Sequence, residues 1–231
     1  MGGGMESMSS TAGRWRGVLF DFDYTLADSS PGVIECVNFA LREMGLAAAA
    51  AEHIRATIGY SLADAFAILT NRCDPRAVEA FGKLFLERSE QVMVDLTRVY
   101  PCVPAVVGRL RRAGLKLAVV STKYRRRIEA VLAREKLADQ FDLVIGGDQV
   151  KRSKPDPEGL LAAMARLEVA ERACLYVGDS VVDVRTARNA GVAFAAVLSG
   201  VTERSALESA GATWIMASLE ELPERLEVAE R

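Results

Sequence analysis

The chain has 231 residues, of which 50% are hydrophobic and 26% are charged, and its formal net charge is -2. This balance is typical of a globular protein with one large domain or one domain that carries an insert, and it argues against a disordered or fibrous chain. Because there is no basic surplus, we expect neither nucleic acid nor an anionic membrane surface as a partner. No apolar run approaches the ~20 residues that span a bilayer.

The N-terminal segment and the cysteines bear on the cellular location. Residues 1–13 lack the basic and apolar regions of a signal peptide and are predicted to form a flexible tail. The four cysteines are widely spaced and include no C-x-x-C pair, so they are predicted to be buried, reduced thiols: Cys36, Cys73, Cys102 and Cys174. We therefore expect a cytoplasmic protein.

The first predicted elements are one short strand and a series of helices. The strand covers residues 16–20, and a helix capped at Ser30-Pro31 runs to about Met44. The next fifty residues contain helical patterns broken at Gly59 and at Asp74-Pro75, with no convincing strand. Residues 29–97 are therefore predicted to form an all-helical unit.

Strands and helices alternate through the rest of the chain. After a helix that ends at Gly114, the predicted strands are LKLAVVS, FDLVIGG, ACLYVGD, VAFAAVLSG and TWIM, with helices between them and a last helix from Ser218. Unbroken apolar strands that alternate with helices indicate a parallel sheet buried on both faces. The predicted class is α/β, Rossmann-like, with a core domain of residues 14–28 and 98–231.

The helical unit interrupts the first crossover of this sheet. Leu19 and Val119, in the first and second core strands, are 100 positions apart, whereas a βαβ unit takes roughly 30 residues. An insertion at that point lies above the carboxyl ends of the strands, where open α/β sheets bind ligands. We interpret residues 29–97 as a lid.

Polar side chains follow the core strands at one edge of the sheet, and an extended Lys-Pro-Asp-Pro loop reaches the same edge. Hard oxygen ligands without His or Cys favour Mg²⁺ over zinc, and a lysine and a hydroxyl beside that ion suit a phosphoryl group. The residues concerned are Asp21, Asp23, Ser121, Thr122, Lys154, Asp179 and Asp183.

The two aspartates after the first strand suit a two-step hydrolysis. A carboxylate can attack phosphorus and form an aspartyl-phosphate. Asp23 lies two positions after Asp21, on the same side of an extended segment, where it can protonate the leaving oxygen and later activate water.

Four motifs occur in order, each near a strand end: DFDYTL, VVST, KPDP and GDSVVD. With them the sequence resembles the haloacid dehalogenase superfamily of phosphohydrolases over almost the whole chain after the tail. The helical insert resembles the helical cap of that superfamily. The whole pattern most resembles its phosphoglycolate phosphatase branch.

The resemblance implies a role for each matching residue. Asp21 is implied as the nucleophile, Asp23 as the general acid and base, Ser121 as a donor to the phosphoryl group, and Lys154 as the stabilising cation. Thr25 is implied to order the first loop.

The resemblance also implies the metal ligands. Mg²⁺ is expected on Asp21, the backbone carbonyl of Asp23 and Asp179, with Asp183 as a ligand or close behind one.

Two positions depart from the pattern of the superfamily. Tyr24 stands where glycine is common, and Thr122 stands where asparagine is common. We expect Tyr24, Thr122 and Lys123 to contact the substrate, Tyr24 between the first loop and the cap.

Other polar features have simpler interpretations. His53 is the only histidine and is expected on the surface or in a core, and because no histidine follows Ser180, a GDS-type serine esterase is excluded. The basic run at residues 123–127 is predicted to be a solvated helix face, with Lys123 as the exception. Residues 56–61 either point a loop at the site or form a plain turn.

The predicted function is Mg²⁺-dependent hydrolysis of a small phosphorylated metabolite, with phosphoglycolate as one candidate. Pyrophosphatase, nucleotidase and phosphomutase activities remain alternatives, and a phosphoacceptor without enzymatic turnover is a distant one. The sequence leaves open whether the protein is a monomer or a homodimer.

Overall fold

A computed structural model describes residues 15–227. The predicted tail at residues 1–13 lies outside the described residues, as do residue 14 and residues 228–231 of the predicted core domain. Within the described range, no helix has the length and apolar character that crossing a membrane requires.

The strands form one parallel sheet and one short antiparallel ribbon. In chain order they are β1 (Gly17–Phe20), β2 (Ala27–Asp28), β3 (Arg98–Val99), β4 (Lys116–Val120), β5 (Leu143–Ile145), β6 (Cys174–Gly178), β7 (Ala193–Val197) and β8 (Ile215–Met216).

The α-helices lie between these strands in two groups, one before β3 and one after it. In chain order they are α1 (Ser30–Glu43), α2 (Ala51–Arg55), α3 (Leu62–Thr70), α4 (Pro75–Leu96), α5 (Val103–Arg112), α6 (Arg125–Arg134), α7 (Glu158–Leu167), α8 (Val181–Ala190), α9 (Arg204–Ala210) and α10 (Leu222–Arg225).

Strand β1 lies at the centre of the sheet. The strand order is β5-β4-β1-β6-β7-β8, and every pair is parallel. Leu19 faces Ala118 of β4 on one side and Tyr176 of β6 on the other. The carboxyl ends of β1, β4 and β6 therefore meet at one edge, and the predicted α/β class is confirmed.

Helices cover both faces of the sheet, as the apolar strands require. Val18 and Phe20 pack in a core with residues of α5 and α6, whereas Leu19 packs in a second core with residues of α7 and α8. The alternation follows from the period of two along a strand. Burial on both faces fixes β1 tightly beneath the polar loop that follows it.

Helices α1 to α4, residues 30–96, have an apolar core of their own. Phe66, Phe81 and Phe85 are buried there with residues of α1, and the ring centroids of Phe66 and Phe81 are 5.0 Å apart. We call residues 30–96 the helical segment.

The chain leaves and re-enters the sheet region through the β2-β3 ribbon. Ala27 pairs with Val99 and Asp28 pairs with Arg98 in an antiparallel register. Neither strand was predicted, because two residues are too few to show a period. The ribbon joins the two ends of the helical segment side by side.

The helical segment also contacts α6 through charged groups. Glu90 of α4 forms ion pairs with Arg126 and Arg127 of α6. Arg134 donates a hydrogen bond of 2.6 Å to the carbonyl of Thr97. The Glu90 contacts lie at the N-terminal end of α6, next to the loop after β4, and the Arg134 contact lies at its C-terminal end.

The prediction that all four cysteines are buried is wrong for two of them. Cys36 and Cys174 are buried, but Cys73 is exposed and Cys102 is partly exposed. Cys73 lies in the connection between α3 and α4, where the backbone runs over the surface.

Candidate active site

The loop after β1 places two carboxylates side by side at the edge of the sheet. The Asp21 amide donates to the Val177 carbonyl at 2.9 Å, which continues the strand pairing, and the amide nitrogens of Leu26 and Ala27 donate to the carbonyl of Phe22. The loop is thus folded back tightly on Phe22. Asp21 and Asp23, on either side of Phe22, are both buried.

Lys154 lies between two of the predicted carboxylates. Its Nζ is 2.9 Å from Asp21 Oδ1 and 2.7 Å from Asp183 Oδ1, and it donates to the Tyr176 hydroxyl at 3.0 Å. Although burial lowers the pKa of Lys154, the carboxylates of Asp183 and Asp21 raise it well above its usual value. The lysine is therefore a permanent positive charge beside Asp21.

Asp21, Asp179 and Asp183 form a buried acidic cluster. One carboxylate oxygen of each lies within 4.8 Å of the others. Burial raises the pKa of Asp21 to about 6, with Lys154 opposing the shift. Burial, together with Asp183 and Asp21, raises the pKa of Asp179 well above its usual value. Three buried carboxylates against one lysine leave negative charge uncompensated, so the cluster fits a hard divalent cation.

The oxygens of Asp183 are already occupied by protein donors. Oδ1 accepts from Lys154 and from the Tyr176 hydroxyl at 2.9 Å, and Oδ2 accepts from the Ser180 hydroxyl at 2.5 Å and the Ser180 amide at 3.2 Å. This saturation favours a role for Asp183 in positioning its neighbours over direct metal ligation.

Asp179 is approached closely by the loop after β7. A Cβ placed on Gly200 would lie 2.0 Å from Asp179 Oδ2, so only glycine fits at that position. Thr25 donates to Asp179 Oδ1 at 3.4 Å. The Asp179 carboxylate is thus fixed between the β1 loop and the β7 loop.

Asp23 is held by two residues from other elements. Lys123 Nζ donates to Oδ1 at 3.0 Å and to Oδ2 at 3.1 Å, and the Ser29 hydroxyl donates to Oδ1 at 2.6 Å. Both side chains are buried. Asp23 therefore has a fixed orientation, separate from the acidic cluster.

The start of α1 differs from its prediction in a way that serves the site. The cap residue is Ser29 instead of Ser30, and its side chain makes no capping bond. The Asp28 carboxylate accepts from the Ser30 amide at 2.8 Å in its place. The hydroxyl of Ser29 is thereby available to Asp23.

A cavity of about 290 Å³ lies between the helical segment and the sheet edge. Asp23, Thr122 and Lys123 line it on the sheet side, and residues of α1, α3 and α4 supply an apolar wall. Residues 57–61 also line it. Of the two alternatives for residues 56–61, this favours a loop that points at the site. Ser121 is buried directly before Thr122, at the end of β4.

Comparison with known proteins identifies the family of the chain. The family model described as "Haloacid dehalogenase-like hydrolase" matches residues 18–197.

The chain belongs to the haloacid dehalogenase-like hydrolase family.

Relatives within this family are named as phosphatases. The phosphoglycolate phosphatase of Chromobacterium violaceum is 34% identical over 216 residues, which cover 90% of this chain and 94% of the relative. The N-acetylmuramic acid 6-phosphate phosphatase of Pseudomonas aeruginosa is 32% identical over 188 residues, or 81% of this chain and 83% of the relative. The chain is accordingly a phosphatase of the family.

A solved structure supports the same conclusion about the fold. A haloacid dehalogenase-like hydrolase from Bacteroides fragilis matches with a TM-score of 0.87 and 38% sequence identity, over 90% of this chain and 99% of that chain. The predicted resemblance to the family is confirmed in sequence and in structure.

Tyr24 stands at the position where the family pattern has glycine, and its backbone shows why. Its φ is +61°, the left-handed region that favours glycine, and its ring is buried. Tyr24 is not among the residues that line the cavity. The backbone thus adopts the conformation for which glycine is suited, while the buried hydroxyl lies near Ser30 and Arg55 of the helical segment.

The interpretation of residues 123–127 as a solvated face is wrong for Arg127. Arg127 is 6% exposed and lines the cavity. It shares the buried face of α6 with Ile128, Val131 and Leu132. Its helical spacing relative to these apolar residues could have indicated that Arg127 is buried, whereas its charge suggested that it is exposed.

Two other features have structural roles. Ser180 caps α8 and donates to Asp183, and His53 is exposed on α2. Ser29 and Tyr176 were missed, because a serine beside the predicted helix cap and an aromatic residue in a strand have ordinary structural explanations. The signal for Tyr176 was its hydroxyl, since a polar atom on a fully buried strand needs a partner.

Proposed function

We propose that this phosphatase hydrolyses a small phosphate monoester through an aspartyl-phosphate on Asp21. The observation that carries the proposal is the pairing of a buried acidic cluster, which includes Asp21, with a separately held carboxylate, Asp23, which lines the cavity. One carboxylate next to a fixed lysine suits attack on phosphorus, and the other suits proton transfer.

We propose Mg²⁺ as the metal, held by Asp21, Asp179 and the backbone carbonyl of Asp23, with Asp183 positioning the group. Mg²⁺ is favoured because the available ligands are all oxygen atoms and because Mg²⁺ needs few ligands from the protein. When bound, the ion would neutralise charge on the phosphate and on the clustered carboxylates.

In the first step, a carboxylate oxygen of Asp21 attacks phosphorus. The new oxygen–phosphorus bond forms as the ester bond to the leaving oxygen breaks, and Asp23 gives its proton to that oxygen. Lys154 keeps Asp21 ionised and offsets charge on the transferring group. Ser121 and Thr122 are proposed as hydrogen-bond donors to the phosphoryl oxygens.

In the second step, water replaces the leaving group. Asp23 is now ionised and accepts a proton from the water, whose oxygen bonds to phosphorus as the bond to Asp21 breaks. Inorganic phosphate leaves and Asp21 is regenerated. Lys123 and Ser29 keep Asp23 in one orientation for both transfers.

We propose that residues 29–97 act as a cap over the core, which comprises residues 14–28 and 98–231. The separate apolar core of the helical segment and the ribbon at its two ends support a unit of this kind. Closure of such a unit would exclude bulk water from the first step.

Phosphoglycolate is the first candidate substrate because it is the substrate named for several relatives. Phosphoglycolate and N-acetylmuramic acid 6-phosphate are both phosphate monoesters that carry a carboxylate. We also propose that the protein is cytoplasmic and acts as a monomer or a homodimer.

The test is a panel of phosphate esters, pyrophosphate and nucleoside monophosphates assayed for free phosphate with Mg²⁺ present. We expect monoesters to release phosphate, Asp21→Asn to abolish the release, and the exposed control Asp139→Asn to leave it intact. An isomeric product without free phosphate would identify a phosphomutase. A lasting phosphoaspartate without turnover would identify a phosphoacceptor, and full activity of Asp21→Asn would remove Asp21 from the mechanism.

A further inference from the structure

The cavity beside Asp23 is apolar on the side of the helical segment. We call the side chains on that side the apolar wall: Val33, Val37, Ile58, Leu62, Phe85 and Met93. All of them except Ile58 also belong to the core of the helical segment or pack against it. The apolar wall is therefore held in place by the packing of that core.

Ile58 differs from the rest of the apolar wall. It lies in the connection between α2 and α3 and is only partly buried. Within residues 15–227 it belongs to none of the apolar cores. A large aliphatic side chain outside a core lacks the many close contacts that a buried one makes. Ile58 is therefore placed to make such contacts with a ligand.

The cations that line the cavity, within the described residues, have anionic partners in the protein. Lys123 is directed at both oxygens of Asp23, and Arg127 pairs with Glu90. The Nε atom of Arg127 is itself buried, so a ligand in the cavity does not reach it. The cavity thus offers no unpaired cation to a carboxylate on a substrate.

Two hydroxyl groups on the helical side of the cavity are engaged as well. Thr57 donates to the carbonyl of Ile54 at 2.8 Å, and Ser61 donates to the carboxylate of Asp64 at 2.6 Å. A carboxylate placed here would lose water without gaining an ionic partner, which is costly. An apolar group would gain from leaving water.

Asp23 determines which part of the substrate the cavity can receive. In the proposed reaction Asp23 protonates the leaving oxygen, which must lie within hydrogen-bond reach of that carboxylate. Asp23 lines the cavity and Asp21 does not, so the cavity suits the leaving group and not the phosphoryl group. A second cavity, of about 550 Å³, borders Lys154 but not Asp23, so it gives the leaving oxygen no proton donor.

The volume of the cavity exceeds what a two-carbon leaving group needs. The cavity measures about 290 Å³, which corresponds to about ten water molecules at ~30 Å³ each. Glycolate would leave most of this space to water. A longer apolar body would displace that water from the apolar wall, which is favourable.

We infer that the preferred substrate is a phosphate monoester whose leaving group is an apolar body of about six carbons, bound against Ile58 and the rest of the apolar wall. This inference rests on the proposed phosphatase reaction at Asp21. Phosphoglycolate, the candidate that the names of the relatives suggest, is then a poor substrate for this chain. Ile58 sets specificity by contacting the part of the substrate that does not react.

The test compares ethyl, butyl and hexyl phosphate with phosphoglycolate, assayed for free phosphate on the full chain with Mg²⁺. The alkyl esters have leaving groups of nearly equal reactivity, so differences in kcat/KM report how the chain is bound. We expect kcat/KM to rise about threefold to fourfold for each buried methylene, or about a hundredfold from ethyl to hexyl phosphate. Phosphoglycolate should be cleaved no better than ethyl phosphate.

Two variants of Ile58 assign the preference to the apolar wall. In Ile58→Asn we expect the ratio of kcat/KM for hexyl over ethyl phosphate to fall about tenfold, because an amide replaces apolar surface. Ile58→Arg adds a cation, and we expect phosphoglycolate to gain about tenfold relative to ethyl phosphate. Because each ratio comes from one preparation, partial unfolding cancels, and the wild-type series depends on no variant.

Ile68→Asn is the matched control. Ile68 lies in the same helical segment, is 59% exposed, and lines the second cavity instead of the first. We expect its ratio of hexyl over ethyl phosphate to stay at the wild-type value. A ratio that falls in Ile68→Asn but not in Ile58→Asn would place the leaving group in the second cavity and overturn the inference.

The wild-type series separates this inference from the proposed function. Equal kcat/KM values for the three alkyl esters, or faster cleavage of phosphoglycolate than of hexyl phosphate, overturn the inference while the release of phosphate supports the proposed function. A rise along the series that neither Ile58→Asn nor Ile68→Asn changes also overturns it. If no monoester releases phosphate, the proposed function fails and the inference fails with it.

Discussion

Lys123 Nζ lies 3.0 Å and 3.1 Å from the two carboxylate oxygens of Asp23, a residue 100 positions earlier in the chain. The contact joins the loop after β1 to the loop after β4, and Ser29 adds a third bond to the same carboxylate. The proposed proton-transfer group is thus fixed from two other elements. This geometry makes Lys123 a positioning residue as well as a lining residue of the cavity.

Lys123→Met removes the charge and keeps most of the side-chain length. We expect kcat for phosphate release to fall about 10-fold to 100-fold, because Asp23 loses its orientation while the acidic cluster is untouched. Steady-state kinetics with one aryl phosphate will show the change. Lys116→Met, at an exposed position on β4, is the control; an unchanged kcat in Lys123→Met would contradict the assignment.

Tyr176→Phe removes one hydroxyl from the base of the acidic cluster. That hydroxyl donates to Asp183 and accepts from Lys154. We expect Mg²⁺ affinity to weaken about tenfold with the fold retained, since groups behind metal ligands typically matter by that amount. Calorimetric titration measures the affinity, and Tyr60→Phe, with an exposed tyrosine, is the control. Equal affinities in wild type and Tyr176→Phe would refute the prediction.

The metal-free protein should lose stability as the pH rises. Burial raises the pKa of Asp21 to about 6 and that of Asp179 well above its usual value. A raised carboxyl pKa in the folded state means that ionisation favours unfolding, so stability is full below the ordinary carboxyl pKa and falls as the pH passes about 6. A divalent cation reverses this cost by binding the ionised form.

We therefore expect saturating Mg²⁺ to raise Tm more at pH 8 than at pH 5. Thermal melts with and without the metal at both pH values provide the measurement. In Asp21→Asn the difference between the two pH values should shrink. Equal increments of Tm in the wild type would show that the cluster does not couple metal and protons.

Tyr24→Gly separates backbone strain from packing. Removing a buried aromatic ring is expected to cost more than the relief of a left-handed φ returns, for a net loss of about 2 to 4 kcal/mol in the free energy of unfolding. Because Tyr24 does not line the cavity, we expect the ranking of substrates to stay the same. Chemical denaturation and the ester panel check the two halves; an altered ranking would restore Tyr24 as a specificity residue.

The features that could be predicted from the sequence are those with a strong local pattern. Strands such as β4 and β6 are continuous apolar runs, and the polar residues at their ends lie together because parallel strands share one carboxyl edge. Asp21 and Asp179 were placed in this way, and Lys154 was placed by the extended Lys-Pro-Asp-Pro loop that reaches the same edge. Their mutual distances follow from the topology more than from any local preference.

The features that could not be predicted depend on contacts distant in sequence. The predicted helix cap is Ser30, so nothing singled out Ser29, whose bond to Asp23 forms only in the folded chain. Arg127 belongs to a basic run that is predicted to be solvated, and only the fold brings Glu90 of α4 to it. The β2-β3 ribbon is two residues long on each side, so it has no period to detect. In each case tertiary contacts, and not the local sequence preference, determine the structure.

The β2-β3 ribbon bears on whether residues 30–96 can be exchanged for another segment. Asp28 and Arg98 face each other across it, so the two cut ends of the intervening 30–96 region are already neighbours. A tight two-residue turn between them would convert the ribbon into an ordinary hairpin. Because the two junctions stay paired whatever lies between them, we expect another helical segment to be accepted in place of residues 30–96.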